Sequence, residues 1–247
     1  MTSQTWKLFC NLRQEYWDYV QDLNRTLPDL KHIQQQLIID RSGPDFTVET
    51  PIVYNQALDT INEHDDIKLI LVADNPGRRE QAAEHRRYLI GPSGKLAEAF
   101  FKQHQDLGID FRKHVIILNK TPIHTPRTGD LKQLSSLGGP MLERTLAESQ
   151  RWMAHLIYRF HHIFTTIPVW IIGYSEMGKG KLFAAFTEEL SHLYQQDSRL
   201  KNQVFLYRHF SMNQFSIDFS RQQKPEESTA ETLARIGIQY RSRIFNW

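Results

Sequence analysis

Residues 67–77 read IKLILVADNPG, and the architecture of the chain can be worked out from them. The first part, Ile67–Ala73, is almost entirely aliphatic and does not alternate with polar residues, which is typical of a strand buried on both faces of a parallel sheet. The run then ends abruptly at Asp74 and a polar turn sequence. Three more runs of this kind follow along the chain: Val115–Leu118, Val169–Ile172 and Val204–Tyr207.

Helical patterns separate these four runs. Apolar residues at i, i+3 and i+4 spacing predict helices over 96–101, 142–164 and 182–193, with Ser93 as a candidate N-cap of the first. Another helix is predicted over Ala230–Tyr240. Because strands alternate with helices, we predict an α/β fold: three layers, α/β/α, with a four-stranded parallel sheet.

The N-terminal region forms a helical prefix in this interpretation. Trp6, Phe9, Tyr16 and Val20 follow a helical rhythm, and Ser42-Gly43-Pro44 punctuates the chain. We therefore predict a prefix over residues 1–45, packed on the body, and a single α/β domain over residues 46–247. A trailing arm that binds a partner is the alternative.

Composition excludes several classes of protein. The chain has 247 residues and a formal net charge of +2, which excludes a strongly basic, histone-like mode of DNA binding but leaves a local basic patch possible. The single Cys10 excludes an internal disulfide, a four-cysteine zinc site and a cysteine-held iron–sulfur cluster. No run approaches the ~18 apolar residues of a membrane helix, and no signal-peptide core is present. We expect a cytoplasmic protein without membrane contact.

Polar side chains follow the predicted strands. Asp74 and Asn75 follow the first, Asn119 the second and His209 the fourth. In an open parallel sheet these ends meet at one edge, where ligands bind. Short polar residues also end strands for purely structural reasons, but the set as a whole favours a ligand site.

A phosphate loop is a competing interpretation. Residues 173–179 fit G-x4-G-K between a strand and a helix, and Ile67–Asp74 resembles the strand that holds Mg²⁺ in such proteins. However, Gly180 stands where Ser or Thr should bind Mg²⁺, and the Asp strand precedes the loop instead of following it. A P-loop-like nucleotide-binding protein remains an alternative. No histidine pair has metal-ligating spacing beside a carboxylate, so no metal or other cofactor is expected.

The motifs, taken in order, resemble those of the uracil-DNA glycosylase superfamily. Residues 73–77, ADNPG, are similar to the G-x-N-P-G motif of mismatch-specific and single-strand-selective members. Asn119 ends a strand as the base-reading asparagine does, and His209-Phe210-Ser211 resembles the H-P-S motif. Residues 88–96, YLIGPSGKL, resemble a segment of iron–sulfur members. The resemblance covers residues 66–216.

This chain departs from the superfamily pattern at several positions. Ala73 replaces the first glycine, and Phe210 replaces the proline of H-P-S. Leu89 stands at the position of an aromatic stacking residue, with Tyr88 beside it, and either could contact the base. The single cysteine excludes the iron–sulfur cluster.

The resemblance implies a monofunctional DNA glycosylase that flips out uracil or a related damaged base and hydrolyses its N-glycosidic bond. His209 would donate a hydrogen bond to the departing base, Asn119 would read the pyrimidine edge, and Asn75 would position the attacking water. An amide cannot deprotonate water, so a slow enzyme is expected. The remaining candidates for binding the nucleobase are Asp74, Gly77, Tyr88 and Leu89. Asp74 is also a candidate general base in place of Asn75. Gly77 stands where the strictest uracil enzymes have a tyrosine that excludes thymine.

The resemblance also implies DNA as the partner of a monomeric protein. Met212 and Phe215 follow His209 where relatives insert an apolar wedge. Candidate contacts to DNA are Ser211 and the basic residues Arg78, Arg79, Arg86, Arg87, Lys95, Lys120, His124, Arg127, Lys179 and Lys181. A solvated surface of mixed charge is the alternative, since Glu80 and Glu84 interrupt the arginines. A glycosylase-fold protein that binds nucleic acid or a nucleobase with little or no excision is the alternative function.

Overall fold

The computed structural model describes residues 1–42 and 46–247. A central sheet is surrounded by helices, with short 3₁₀ turns in several loops. The strands are β1 (Leu69–Ala73), β2 (Val115–Asn119), β3 (Val169–Ile172) and β4 (Val204–Tyr207). The helices are α1 (Ser3–Thr26), α2 (Leu30–Ser42), α3 (Pro92–Gln103), α4 (Asp130–Ile163), α5 (Ala184–Gln195), α6 (Ser198–Lys201), α7 (Gln214–Gln222) and α8 (Thr229–Phe245).

All four strands are parallel, in the order β2-β1-β3-β4. Every residue of β1, β2 and β3 is buried, as continuous aliphatic runs require when helices cover both faces of a sheet. The register places Ala73 opposite Asn119 at the carboxyl edge. These features confirm the predicted three-layer α/β/α fold and its four-stranded parallel sheet.

The predicted helices are present, with corrections at their starts, the largest at α4, which begins at Asp130 and not at residue 142. Helix α3 begins at Pro92 with Gly91 at its N-cap, so the prediction of Ser93 as the cap is wrong. Proline fits the first helical turn because its missing N–H would have no partner there. Helix α5 begins at Ala184, two residues after the predicted Leu182.

The N-terminal helices pack on the rest of the chain through aromatic side chains. Phe9 of α1 lies 5.7 Å from the ring of Phe160 on α4. Tyr16 also donates from its hydroxyl to that of Tyr88 at 2.5 Å, since the Tyr88 proton is given to a backbone carbonyl. Trp17, the next residue after Tyr16, is 44% exposed and does not belong to this packed face. Of the predicted turn Ser42-Gly43-Pro44, the last two residues lie outside the described part of the chain.

Two buried histidines make stability depend on pH. His124 and His161 are fully buried, and burial lowers the pKa of each to about 4. An unfolded histidine titrates near pH 6.5. The neutral folded forms therefore stabilise the protein above pH 6.5, and this stability is lost as the pH falls from 6.5 to about 4.

We expect the free energy of unfolding to fall by up to ~3 kcal/mol for each of these histidines over that interval. Urea denaturation at pH 7 and pH 5 measures the loss. His124→Gln should flatten the dependence, whereas His85→Gln, at an exposed position, should leave it unchanged. A His124→Gln variant whose loss of stability from pH 7 to pH 5 equals that of the wild type would contradict the prediction, because the opposing contribution of Glu80, whose pKa is raised to about 7 by burial, is the same in both proteins.

Candidate functional site

A crevice of about 680 Å³ opens at the carboxyl edge of β1, β3 and β4. Residues from three predicted strand ends line it, together with the start of α3 and the loop after β2. Its wall includes Asp74, Asn75, Gly77, Arg78, Arg79, Glu80, Leu89, Gly91, Pro92, Ser93, Thr125, Arg127, Thr128, Gly173, Glu176, His209, Ser211 and Met212. The structure thus brings together Asp74, Asn75 and His209 of the four residues predicted from the strand ends, whereas Asn119 is not part of the crevice wall.

A buried ion pair lies beneath the crevice. The Lys120 ammonium donates to Asp74 Oδ1 at 2.5 Å and to the Ile172 carbonyl at 2.6 Å, and Lys120 is 0% exposed. Thr128 donates to the second oxygen of Asp74 at 3.3 Å. Burial lowers the pKa of Lys120, and the Asp74 carboxylate opposes that shift. Because its charge is already paired, Asp74 is a poor substitute base. The expected phosphate contact by Lys120 is wrong, since its ammonium does not reach the surface.

Gly173 makes room for this ion pair. Its φ is +82°, and a Cβ atom there would lie 2.5 Å from Asp74 Oδ1. A side chain at residue 173 would therefore displace the carboxylate from Lys120. Packing around Asp74 therefore explains why residue 173, the first of the glycine-rich segment 173–180, is a glycine.

The same segment does not have the geometry of a phosphate loop. A 3₁₀ turn covers Tyr174–Glu176, and α5 begins only at Ala184. A P-loop lysine directly precedes the helix whose N-terminus holds the phosphates. Here Lys179 is exposed and five residues before the helix, so a glycine-rich helix start is not formed.

The Asn75 amide is anchored through its nitrogen. Nδ2 donates to Thr125 Oγ1 at 2.9 Å, and longer contacts join it to the carbonyls of Thr125 and Pro76. Within the described residues no hydrogen bond is donated to Oδ1. The anchored nitrogen fixes which way the amide faces and leaves its oxygen as an acceptor at the crevice wall.

Asn119 is a buried amide whose hydrogen-bonding atoms have no partner. Its side chain is 1% exposed, and neither Nδ2 nor Oδ1 has a hydrogen-bond partner among the described residues. Asn119 is paired in register with Ala73, which lines the crevice. Paired residues on neighbouring strands project from the same face of a sheet, so the amide lies on the face that Ala73 presents.

His209 is held as a neutral imidazole with a defined tautomer. The Ser211 backbone N–H donates to Nδ1 at 3.0 Å, which leaves the proton on Nε2. Burial lowers the pKa of His209, with the nearby Lys120 charge acting the same way and Asp74 opposing. The ring is therefore an uncharged donor at the crevice wall near neutral pH.

Only one of the two candidate stacking residues reaches the crevice. Leu89 lines it, with a φ of +50° that few non-glycine residues adopt. Tyr88 is fully buried, and its hydroxyl donates to the Val53 carbonyl at 2.5 Å, so the expectation that it contacts a base is corrected. Gly94 makes this loop possible, because a Cβ atom there would overlap the Leu89 carbonyl.

Glu80 lies in the crevice wall, although from the sequence it is expected only to interrupt the charge of the neighbouring arginines. Its side chain is buried, and Oε2 accepts a hydrogen bond from the Gly77 N–H at 3.1 Å. The Leu89 N–H also acts on this carboxylate and lowers its pKa. The one local signal is its position three residues after Gly77, from which an acidic side chain can satisfy a free turn N–H.

The basic residues divide into three groups. Arg78, Arg79 and Arg127 are exposed and line the crevice. His124 is fully buried, with Nδ1 2.8 Å from the Pro76 carbonyl, so its predicted phosphate contact is wrong. The other candidates, exposed or half-buried but outside the crevice wall, are Arg86, Arg87, Lys95, Lys179 and Lys181.

The two wedge candidates have different positions. Met212 lines the crevice, is 81% exposed and has a φ of +51°. Phe215 is buried, with its ring 4.3 Å from that of Phe210 and stacked on it. Phe215 is thus a core residue, and Phe210 joins the same aromatic cluster in place of the motif's proline.

No protein-family model matches this chain, and no curated protein matches it in sequence. In the described ranges, no helix combines the length and apolar character needed to cross a membrane. Over the same residues, no group of three or more His, Cys, Asp or Glu side chains is arranged to hold a metal ion.

Proposed function

We propose that this protein is a monofunctional DNA glycosylase that hydrolyses the N-glycosidic bond of uracil or a related damaged base. The observation that carries the proposal is the Asn119 amide, which is buried at the carboxyl end of β2 with neither hydrogen-bonding atom partnered among the described residues, and which is paired in register with the crevice residue Ala73. Each buried polar group left unsatisfied costs about 1–3 kcal/mol, and such groups often have a functional role. An adjacent donor and acceptor complement the O4 and N3–H of uracil.

His209 supports the same reaction. As the glycosidic bond breaks, negative charge develops on the base oxygens. A neutral imidazole donating from Nε2 stabilises that charge, and it costs no reorganisation because the Ser211 N–H already fixes the tautomer.

Asn75 provides an acceptor for the water that attacks the sugar. Its nitrogen is committed to Thr125, so the amide cannot rotate freely and its oxygen is available to orient a water molecule. This orientation contributes through positioning alone, since an amide has no useful basicity.

The crevice accepts bases larger than uracil in this proposal. A Cβ atom added to Gly77 would meet nothing within 4 Å, so the wall has open space where a bulky side chain would exclude a 5-substituent. We therefore propose uracil and 5-substituted or otherwise altered bases as the substrate class.

DNA contact in the proposal involves the exposed cations around the opening. Arg78, Arg79 and Arg127 would contact phosphates, with Ser211 beside them and Met212 entering the stack at the flipped base. Binding should weaken as salt increases. The cytoplasmic location and the monomeric state stay predictions from the sequence.

Binding without excision is the second candidate function. The observation in its favour is the pairing of Asp74 with Lys120, which removes the carboxylate nearest to Asn75 in sequence from base catalysis. A protein of this kind would bind a flipped nucleotide or a free nucleobase in the same crevice and leave the glycosidic bond intact.

An excision assay separates the two candidates. We expect stoichiometric protein to produce alkali-labile sites in single- or double-stranded oligonucleotides that carry uracil, mismatched thymine or hypoxanthine. Asn119→Ala should lower the rate at least ~10-fold, since one lost hydrogen bond of about 1.4 kcal/mol is a factor of ten.

Asn62→Ala, in a loop outside the crevice, is the matched control and should keep the wild-type rate. Binding of these oligonucleotides without any cleavage would favour the second candidate. Equal rates for Asn119→Ala and wild type would show that the amide does not read the base.

A further inference from the structure

Glu80 lies on the crevice wall, and its buried carboxylate accepts fewer hydrogen bonds than its oxygens allow. The Gly77 N–H donates to its Oε2 at 3.1 Å, and the Leu89 N–H of a second loop acts to lower its pKa. A carboxylate has about four lone-pair positions. These backbone groups therefore leave acceptor capacity on Glu80 for a water molecule in the crevice.

Three carboxyl groups line the crevice. Of these, Glu80 is the one that is buried and has no cation paired with it among the described residues. Asp74 is paired with Lys120 and also accepts from Thr128. Glu176 is half-buried on the β3 side and interacts with the Lys120 charge. Within the described residues, no cation lies within ion-pair distance of Glu80.

The surroundings of Glu80 adjust its acidity. Burial raises the pKa of Glu80 to about 7, while the Gly77 and Leu89 N–H groups and the Arg112 charge oppose the shift. Tyr88 also interacts electrostatically with this carboxylate. Burial raises the pKa of Tyr88 well above its usual value, so Tyr88 stays neutral. A general base is most effective when its pKa is near the working pH.

We infer that Glu80 is the general base of the reaction proposed above, a role that Asn75 cannot fill. The inference rests on the proposed function. It assigns water activation to a carboxylate that lies three residues after the motif glycine and is held by the N–H of that glycine, and it leaves Asn75 to orient the water.

A water proton passes to the Glu80 carboxylate while the water oxygen forms a bond to C1′ of the sugar. The C1′–N bond breaks, and its electron pair leaves with the base, whose negative charge is stabilised by His209. The base then takes a proton from solvent, and Glu80 returns its proton to solvent, so the products are the free base and an abasic sugar.

Single-turnover excision by Glu80→Gln tests the inference. Glutamine keeps an oxygen to accept the Gly77 N–H, so a residue with a merely structural role in this turn should tolerate the change. As general base, Glu80 should instead show a loss of ~100-fold or more in rate upon this substitution. The wild-type rate should increase tenfold per pH unit below about 7 and level off above it, whereas the Glu80→Gln rate should not change with pH.

Glu84→Gln, at an exposed position, is the control and should behave as the wild type. If Glu80→Gln does not fold, as judged by its thermal transition, the wild-type pH profile decides alone: a rate independent of pH between 5 and 8 overturns the inference. Activity of Glu80→Gln with the wild-type profile overturns it as well, with the proposed function intact. A wild-type protein that binds every oligonucleotide and releases no base overturns both.

Discussion

His209→Ala is expected to slow base release about 100- to 1,000-fold, the usual cost of removing one donor to a developing oxyanion. The Nε2–H of His209 is preorganised by the Ser211 N–H and lies in a partly desolvated wall, so it acts mainly on charge that appears in the transition state. Substrate affinity should therefore change little. Single-turnover rates and oligonucleotide affinities of the wild type and the variant measure the two effects separately.

His85→Ala is the matched control, because His85 is exposed and lies outside the crevice wall. It should keep the wild-type rate. A His209→Ala variant that loses affinity in proportion to its rate would instead indicate that the imidazole contacts the substrate in its ground state.

Lys120→Ala is expected to lower the free energy of unfolding by about 3–5 kcal/mol, because it leaves the buried Asp74 carboxylate without its partner. Lys120 is completely buried, and its ammonium also joins β1 to β3 through the Ile172 carbonyl. Urea denaturation at neutral pH measures the change.

The double variant Asp74→Asn/Lys120→Met separates lost charge pairing from lost packing. Replacing both ions of a buried pair removes the unpaired charge, so the double variant should recover most of the stability. Lys95→Ala, on the exposed face of α3, should stay within about 0.5 kcal/mol of wild type. A Lys120→Ala variant as stable as Lys95→Ala would contradict the assigned pairing.

The sheet could be predicted from sequence because its strands are buried on both faces. The run Val169–Ile172 contains only apolar residues, and its observed bounds match the predicted ones, whereas β1 begins two residues later and β2 ends one residue later than predicted. Strand ends are equally visible, since Asp74 and Asn119 stop two of the runs. The carboxyl edge then brings Asp74, Asn75 and His209 into one crevice without any further information.

The direction of individual side chains could not be predicted in the same way. Asn119 and Lys120 are adjacent, and Lys120 pairs with Asp74 in the interior although a lysine usually indicates surface. Likewise Tyr88 faces the Tyr16 hydroxyl while Leu89 faces the crevice. These directions depend on contacts with residues distant in sequence. Lys120 contacts Asp74 at the end of β1, and Tyr88 contacts α1.

The chemical role inferred for Glu80 could not be predicted from the sequence either. Its neighbours Arg78 and Arg79 are exposed, so its local sequence is that of a solvated turn. Its burial arises from the Leu89 loop, which is held in turn by the donation from Arg112 to the Leu89 carbonyl. A contact between residues 80 and 89 has no periodic signature in the sequence.

The most direct test of the proposed glycosylase is the mass of a reacted oligonucleotide. A single-stranded and a mismatched duplex substrate, each with one uracil, are incubated with stoichiometric protein and examined intact by mass spectrometry. The proposal predicts a product that has lost the mass of uracil and gained one water, together with free uracil in solution. An oligonucleotide of unchanged mass under conditions in which the protein binds it would contradict the proposal.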